Sequence, residues 1–174
     1  DIKSYKDKIS PLDIAGEISI SLKKNAIISR VNNQLWDLDR LIDFDCDLEI
    51  ITKGNKDLLE VLRHDAAHVM AEAVLELYPD TQITIGPAID YGFYYDFHKK
   101  DNFTVKDLEL IEKRMHEIVD RNEKIIREVW SREKAINFFK KNNEKFKLEL
   151  VDDIPEDQEI SFYKQGNFID LCKG

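Results

Sequence analysis

The chain has 174 residues, and 26 Lys and Arg against 35 Asp and Glu leave it a net charge of −9. That length holds one ordinary domain or two small ones, its 43% hydrophobic content suffices for packed cores, and no apolar run approaches the ~20 residues that span a bilayer. Two cysteines, Cys46 and Cys172, are too few for a disulfide framework and point to a reducing compartment, while the acidic total argues at first sight against a nucleic-acid partner.

Lys3-Ser4-Tyr5 reads as the end of a strand. Ser10-Pro11 is a helix start, a hydroxyl N-cap followed by proline where its missing N–H costs nothing, and Leu12, Ala15, Ile18 and Leu22 predict one helical face. Residues 26–31 and 34–38 read as strands around Asn32-Asn33, a pair that accepts the positive φ of a tight hairpin, and residues 47–51 supply another strand. This succession fits a small β-grasp sheet crossed by one helix. Lys53-Gly54-Asn55 is the predicted boundary, with Gly54 as breaker and Asn55 as the next N-cap.

A long helix should run to Tyr78, stopped by Pro79, with Leu58, Leu62, Ala66, Val69, Ala73 and Leu77 facing one way. Residues 83–85 and 91–97 read as strands separated by Gly86-Pro87. Thr104 caps a second long helix with Leu108, Ile111, Met115, Ile118 and Val119 as its stripe. A strand over 125–130 and a short helix from the Ser131 cap to about Lys141 come next. Residues 146–150 alternate apolar and polar, which predicts a strand with Lys147 pointing away from the core. Residues 162–172 are interrupted by Gly166 and end as a strand. The predicted fold class is α+β: a β-grasp domain over 1–53, then a larger α+β domain over 54–174 with a long helix and an antiparallel sheet. The chain opens on Asp1 without Met and stops directly after an apolar segment, so a fragment of a longer protein is expected.

Charge is unevenly spread. Residues 97–150 carry 14 basic against 11 acidic groups, and they form the one net basic stretch. Such a stretch is a solvated helical face laced with Glu–Lys pairs or a phosphate-contacting face, and composition does not choose between them.

His64-Asp65-Ala66-Ala67-His68 sets two imidazoles on one helical face. Such a pair can hold a metal or deprotonate a water, and it also occurs as ordinary surface or core histidines. It departs from the H-E-x-x-H of zinc proteases because Asp65 is one methylene too short to act as their base. Strand alternation puts Ile169 and Leu171 on one face and Phe168, Asp170 and Cys172 on the other. Cys172 with His64 and His68 is an incomplete ligand set for a tetrahedral ion, and His98 and His116 are further donors or merely exposed residues. Aromatics concentrate over 91–97, where outward tyrosines can line a pocket, and Gly86 and Gly92 permit close backbone approach. No P-loop, dinucleotide-binding or G-x-S-x-G motif is present.

In this order, these residues resemble the N-terminal portion of the threonyl-tRNA synthetase family along the whole chain. Ser10-Pro11-Leu12-Asp13-Ile14-Ala15 with Arg30-Val31-Asn32 resembles the TGS domain, a β-grasp module. His64-x-x-x-His68, Ile85-Gly86-Pro87, the run Tyr91-Gly92-Phe93-Tyr94-Tyr95-Asp96 and Tyr163-x-x-Gly166-x-Phe168-x-Asp170-Leu171-Cys172-Lys173-Gly174 resemble the editing domain. The resemblance implies hydrolysis of serine wrongly esterified to threonine tRNA, a step required because one methyl gives a binding pocket only about 1–3 kcal/mol of discrimination.

It implies catalytic roles for His64, His68, Lys147, Asp170 and Cys172, and substrate contacts for Tyr95, Gly86 and Pro87. His64 and Lys147 would orient the tRNA 3′ end and water, and Asp170 would hold the serine ammonium. The family cluster is H-x-x-x-H…C-x-x-x-H, and the chain stops at Gly174 before the last histidine, so an incomplete, weakened site is expected. No metal is expected here, although the same set binds zinc in related alanyl editing proteins. The full-length family joins threonine to its tRNA using ATP with Mg, holds a zinc in a catalytic core absent from this chain, dimerises through that core and is cytoplasmic. Its partner is the threonine tRNA with its 3′ aminoacyl end, for which Lys140, Lys141 and Lys145 would make a modest contact. Two other readings are a free-standing alanyl-type trans-editing hydrolase with zinc, disfavoured by the TGS-like start, and a non-catalytic TGS-type module binding RNA or ribosomes, disfavoured by His64, His68 and Cys172.

Overall fold

The computed structural model describes residues 2–55 and 58–172. They divide into two compact units, one reaching Leu59 and the other beginning at Glu60. Each combines helices with antiparallel sheet, an α+β architecture. Among the described residues no helix is long and apolar enough to cross a membrane.

In the first unit Ser10 caps α1 (Pro11–Ile18), its Oγ accepting the Asp13 N–H at 3.2 Å. The single helix expected through Leu22 is two. Ser19 takes an extended conformation that closes α1, and its hydroxyl accepts the Leu22 N–H at 3.0 Å to start α2 (Ile20–Asn25). A serine whose side chain competes for the backbone ends one helix and begins the next, which leaves Ile18 exposed. Strands β1 (Ala26–Val31), β2 (Gln34–Trp36) and β3 (Leu48–Thr52) form an antiparallel sheet in the order β2-β1-β3. The turn residues Asn32 and Asn33 have φ of 47° and 68°, the region asparagine tolerates best after glycine. α1 packs on β1 and β3 with Ala15, Val31 and Ile51 buried. Residues 3–5 form no strand; the ladder contact on that side is the isolated bridge between Ile9 and Ile42.

α3 (Leu58–Leu77) stops short of Pro79. The expected capping by Asn55 involves residues 56 and 57, which lie outside the described residues. Of the stripe read from the sequence, Leu58 and Ala73 are buried and Val69 and Leu77 pack beside Ala73, but Leu62 is more than half exposed, and the buried surface extends to Ala67, Ala71 and Val74. Alanines let the α3 backbone come close to its neighbours, and longer side chains would hold it off. One side meets Ile83 of β4 (Gln82–Ile83) and Phe97 of β7 (Phe97–His98). Between these two strands lies the hairpin of β5 (Ala88–Ile89) and β6 (Gly92–Phe93). The strand expected over 91–97 is therefore interrupted, and Tyr95 leaves the ladders to point into the core at 7% exposure. The other side of α3 meets α4 (Val105–Asp120), which opens on a reciprocal capping box between Thr104 and Asp107. Ile111 and Ile118 are buried there, whereas Leu108 and Val119 face outward.

β8 (Ile125–Trp130), α5 (Arg132–Lys141), α6 (Lys145–Asp153), β9 (Ile160–Gln165) and β10 (Phe168–Leu171) complete the chain, with sheet order β10-β9-β8. Gly166 turns β9 into β10 at a φ of 54°, a value that favours a residue without Cβ. Phe139, Val151 and Phe162 are fully buried between sheet and helices, and Trp130 stacks on Phe162 at 4.0 Å. The expected strand over 146–150 is the helix α6, and Lys147 is directed inward at 2% exposure. Lys147 and Val151, four apart, form the fully buried inner edge of α6, while Phe146 and Leu148 flank it and imitate strand alternation. Arg132 donates to the carbonyls of Val151 and Ile154, closing the C-terminal end of α6.

Candidate active site

α3 carries His64 and His68 one turn apart, β10 carries Asp170 and leads directly to Cys172, α6 carries Lys147, and the segment after β6 carries Tyr95. All six converge within the second unit. Alternation along β10 sends Ile169 and Leu171 into the core beneath α5 and α6, as expected, but the opposite side is a second core. Asp170 is there at 1% exposure.

A buried carboxylate is tolerable only when paired and hydrogen-bonded. Asp170 Oδ1 lies 2.5 Å from the Lys147 ammonium; Oδ2 accepts the Tyr95 hydroxyl at 2.6 Å and lies 3.1 Å from His68 Nδ1. Lys147 also donates to the Tyr95 oxygen at 3.1 Å. Burial alone would raise the Asp170 pKa, but Lys147 and His68 outweigh it and hold the carboxyl at about 2. The same contact reverses the effect of burial on His68 and pushes it up to about 10. Tyr95 is raised by burial and the adjacent Asp170 charge, so it remains a phenol.

With Nδ1 turned to Asp170, His68 directs Nε2 to His64 Nε2 at 3.1 Å, and the same His64 nitrogen stands 2.9 Å from Cys172 Sγ. One ring nitrogen has one proton or one lone pair, so Cys172 and His68 compete for a single position on His64. Burial favours the Cys172 thiol, yet the two histidines bring its pKa down to about 6. Cys172 in turn raises His64. The group is a series from carboxylate through two imidazoles to a thiol, able to move a proton along its length.

The ligand atoms of His64, His68 and Cys172 lie within 4.8 Å of one another. A tetrahedral zinc ion with bonds of about 2.0–2.3 Å holds its donors roughly 3.5 Å apart. The 2.9 and 3.1 Å contacts at His64 Nε2 are tighter, so these atoms bond to one another and would have to spread to take an ion. A group of three donors also leaves the fourth position to be filled. His98 pairs its ring with Phe146 at 5.5 Å, and neither it nor His116 joins the group.

Gly86 is pressed against Tyr95: a Cβ there would fall 2.1 Å from the ring. Its missing side chain seats the tyrosine, and the following Pro87 carbonyl accepts the Tyr94 N–H at 3.5 Å. Lys147 is where the sequence reading of the site departs furthest from the structure, since its ammonium serves Asp170 and Tyr95, not solvent. The reading also missed Glu144. As a strand residue it would lie on the face opposite Lys147; at the N-cap of α6 it is one turn from it.

The four-residue spacing continues along α3 through Glu72 and Glu76. Arg121 donates to Glu76 through both terminal nitrogens at 2.6 and 2.9 Å and reaches Glu72 at 3.4 Å, while Arg114 donates to Glu76 at 2.7 Å. Glu72, pushed up to about 7 by burial and by Glu76, is a costly member of this row. Several cations of the basic stretch are thus committed: Arg114 and Arg121 to α3, Arg127 to Glu159, and Arg132 to α6. Lys140, Lys141 and Lys145 remain exposed around the α5–α6 junction.

Residues 1–52 match the TGS domain family model. Over 173 residues the chain is 50% identical to a threonine–tRNA ligase of Rickettsia akari and 52% identical to one of Rickettsia bellii, covering 99% of this chain and 27% of each relative. A threonine–tRNA ligase of Paramagnetospirillum magneticum is 53% identical over 174 residues, again 27% of its length. The chain opens with a TGS domain and is similar along 99% of its length to threonine–tRNA ligases, of which it spans about a quarter.

Proposed function

We propose that this chain is part of a threonine–tRNA ligase, with a TGS domain over 1–53 and an editing domain over 54–174 that hydrolyses serine wrongly attached to threonine tRNA. The observation that carries the hydrolytic reading is the contiguous series Asp170–His68–His64–Cys172, with 3.1 Å from Asp170 to His68, 3.1 Å from His68 to His64 and 2.9 Å from His64 to Cys172. A water oxygen bonds to the seryl carbonyl carbon and passes its proton to the neutral His64 imidazole, whose Nε2 exchanges its contacts with His68 and Cys172 for the water. The carbonyl becomes an oxyanion, stabilised by the His68 imidazolium that Asp170 holds charged. Collapse breaks the bond to the ribose 3′ oxygen, which takes the proton from His64, releasing serine and uncharged tRNA. Asp170, Lys147 and Tyr95 fix the geometry, and Gly86 and Pro87 shape the wall at Tyr95. The reaction requires no metal or cofactor in this chain. ATP with Mg, a zinc, dimerisation and cytoplasmic location belong to the longer ligase in this reading.

The test is release of labelled serine from seryl-tRNA(Thr) by this chain, with threonyl-tRNA(Thr) as the control. His64→Ala should slow release at least 100-fold, the lower range for losing a general base. Release unaffected by His64→Ala would overturn the reading. Stoichiometric zinc surviving chelation in the purified chain would overturn its metal-free form.

A further inference from the structure

An aminoacyl ester brings an α-ammonium group, and a site that removes serine needs an anion to meet it. Asp170 is poorly placed for that. Its two oxygens already face Lys147, Tyr95 and His68, and it is 1% exposed. A second carboxylate stands in the same electrostatic field. Glu144 is half-buried at the start of α6, where its backbone is held by Phe139 and Leu148, and its carboxylate neither caps that helix nor makes a hydrogen bond or ion pair with any described residue. Its charge acts on Tyr95, and those of Lys147 and Asp170 act on it.

We propose that Glu144 is a substrate-binding residue, the carboxylate that receives the α-ammonium group of the aminoacyl ester. Three observations support it. Glu144 sits one helical turn from Lys147, so the helix that anchors the buried cluster also presents the second carboxylate. It is the more accessible of the two carboxylates, which suits a group that must admit and release a ligand. Burial pushes its pKa up to about 7 in spite of Lys147, so the anion is under-compensated and an arriving cation restores the balance. The assignment rests on the ester-hydrolase reading and adds to it the group that distinguishes an aminoacyl ester from any other acyl ester.

The probe is a non-hydrolysable 3′-amide analogue of seryl-adenosine, with its α-amino group free or N-acetylated, titrated calorimetrically into the wild-type chain and into Glu144→Gln. Loss of one charge-assisted hydrogen bond predicts about ten-fold weaker binding of the free-amine analogue by Glu144→Gln. The acetylated analogue should bind both proteins equally, and Glu144→Asp should recover part of the lost affinity. Equal weakening for both analogues, or no weakening for either, overturns the assignment. A wild-type chain that binds neither analogue removes the editing reading itself, which separates the two failures. Far-ultraviolet circular dichroism of each variant establishes that it is folded, and Glu144→Asp carries the comparison if Glu144→Gln is not.

Discussion

The Lys147 ammonium stands 2.5 Å from Asp170 Oδ1 with the two side chains at 2% and 1% exposure. Such a pair is weak evidence for stability, because desolvating two charges costs several kcal/mol, but removing one partner strands the other. Lys147→Met should therefore lower the unfolding free energy by about 3–5 kcal/mol. Replacing both residues, as Lys147→Met with Asp170→Asn, which keeps an acceptor for the Tyr95 hydroxyl, should recover much of that loss while abolishing hydrolysis. Urea titrations of the single and double variants decide it, and a double variant less stable than Lys147→Met would contradict the account.

His68 and Asp170 give the stability a pH profile with opposite limbs. The His68 pKa rises from 6.5 to about 10 in the folded chain, so its contribution is complete below 6.5 and disappears as pH climbs through 10. The Asp170 pKa falls from 3.8 to about 2, so its contribution is present above 3.8 and is lost on acidification through 2. Urea unfolding at a series of pH values should show an alkaline decline that is flatter in His68→Gln. Identical alkaline slopes in the two proteins would remove His68 as its source.

Cys172 and Cys46 should react differently with iodoacetamide. The thiolate is the nucleophile. Two histidines bring Cys172 to about 6 against burial, whereas burial and neighbouring aspartates push Cys46 up. Site-resolved mass spectrometry should find Cys172 alkylation half-maximal near pH 6, with Cys46 rising only at higher pH. His64→Ala should move the Cys172 midpoint upward.

Gly86→Ala forces a methyl into the Tyr95 ring, 2.1 Å from its nearest atom. Overpacking of this kind costs about 1–3 kcal/mol, and the displaced ring should lose its hydrogen bond to Asp170. A lower melting temperature together with slower serine release is expected. Full activity in Gly86→Ala would mean that the Tyr95 contact is dispensable.

Lys140, Lys141 and Lys145 are exposed cations of the basic stretch grouped around the α5–α6 junction. If they meet tRNA phosphates, changing all three to Gln should reduce the slope of log affinity against log salt by about 2, since each contact contributes about 0.7–0.9. Filter binding at several salt concentrations measures it. An unchanged slope makes them a solvated helical face.

Caps and turns were the legible part of this fold: Ser10, Thr104, Ser131, the Asn32-Asn33 hairpin and Gly166 all act through side chains or φ values within a few residues. Of the site, residue types and spacing identified His64, His68, Asp170 and Cys172 as chemically interesting, and family resemblance supplied Lys147 and Tyr95. What periodicity could not deliver was α6. Its inward edge contains a lysine, so hydrophobicity pointed to Phe146, Leu148 and Leu150 and to the wrong period. A buried charge is intelligible only once its partner is known, and Asp170 is 23 positions further along the chain. On α3 apolar residues lie on every side, and the contacts bury Ala67, Ala71 and Val74 along with the expected Leu58 and Ala73 while leaving Leu62 outside.

The row His64, His68, Glu72 and Glu76 gives α3 a consequence for how this molecule can change. Two positions belong to the imidazole pair beside Asp170 and Cys172 and two to the clamp formed by Arg114 of α4 and its C-cap Arg121, with a whole turn between successive members. Inserting or deleting a single residue between His68 and Glu72 would rotate one pair against the other by about 100°. Chemistry and scaffold would then face different directions. Length variation should therefore be confined to the loops, while the register of this one helix admits substitutions only.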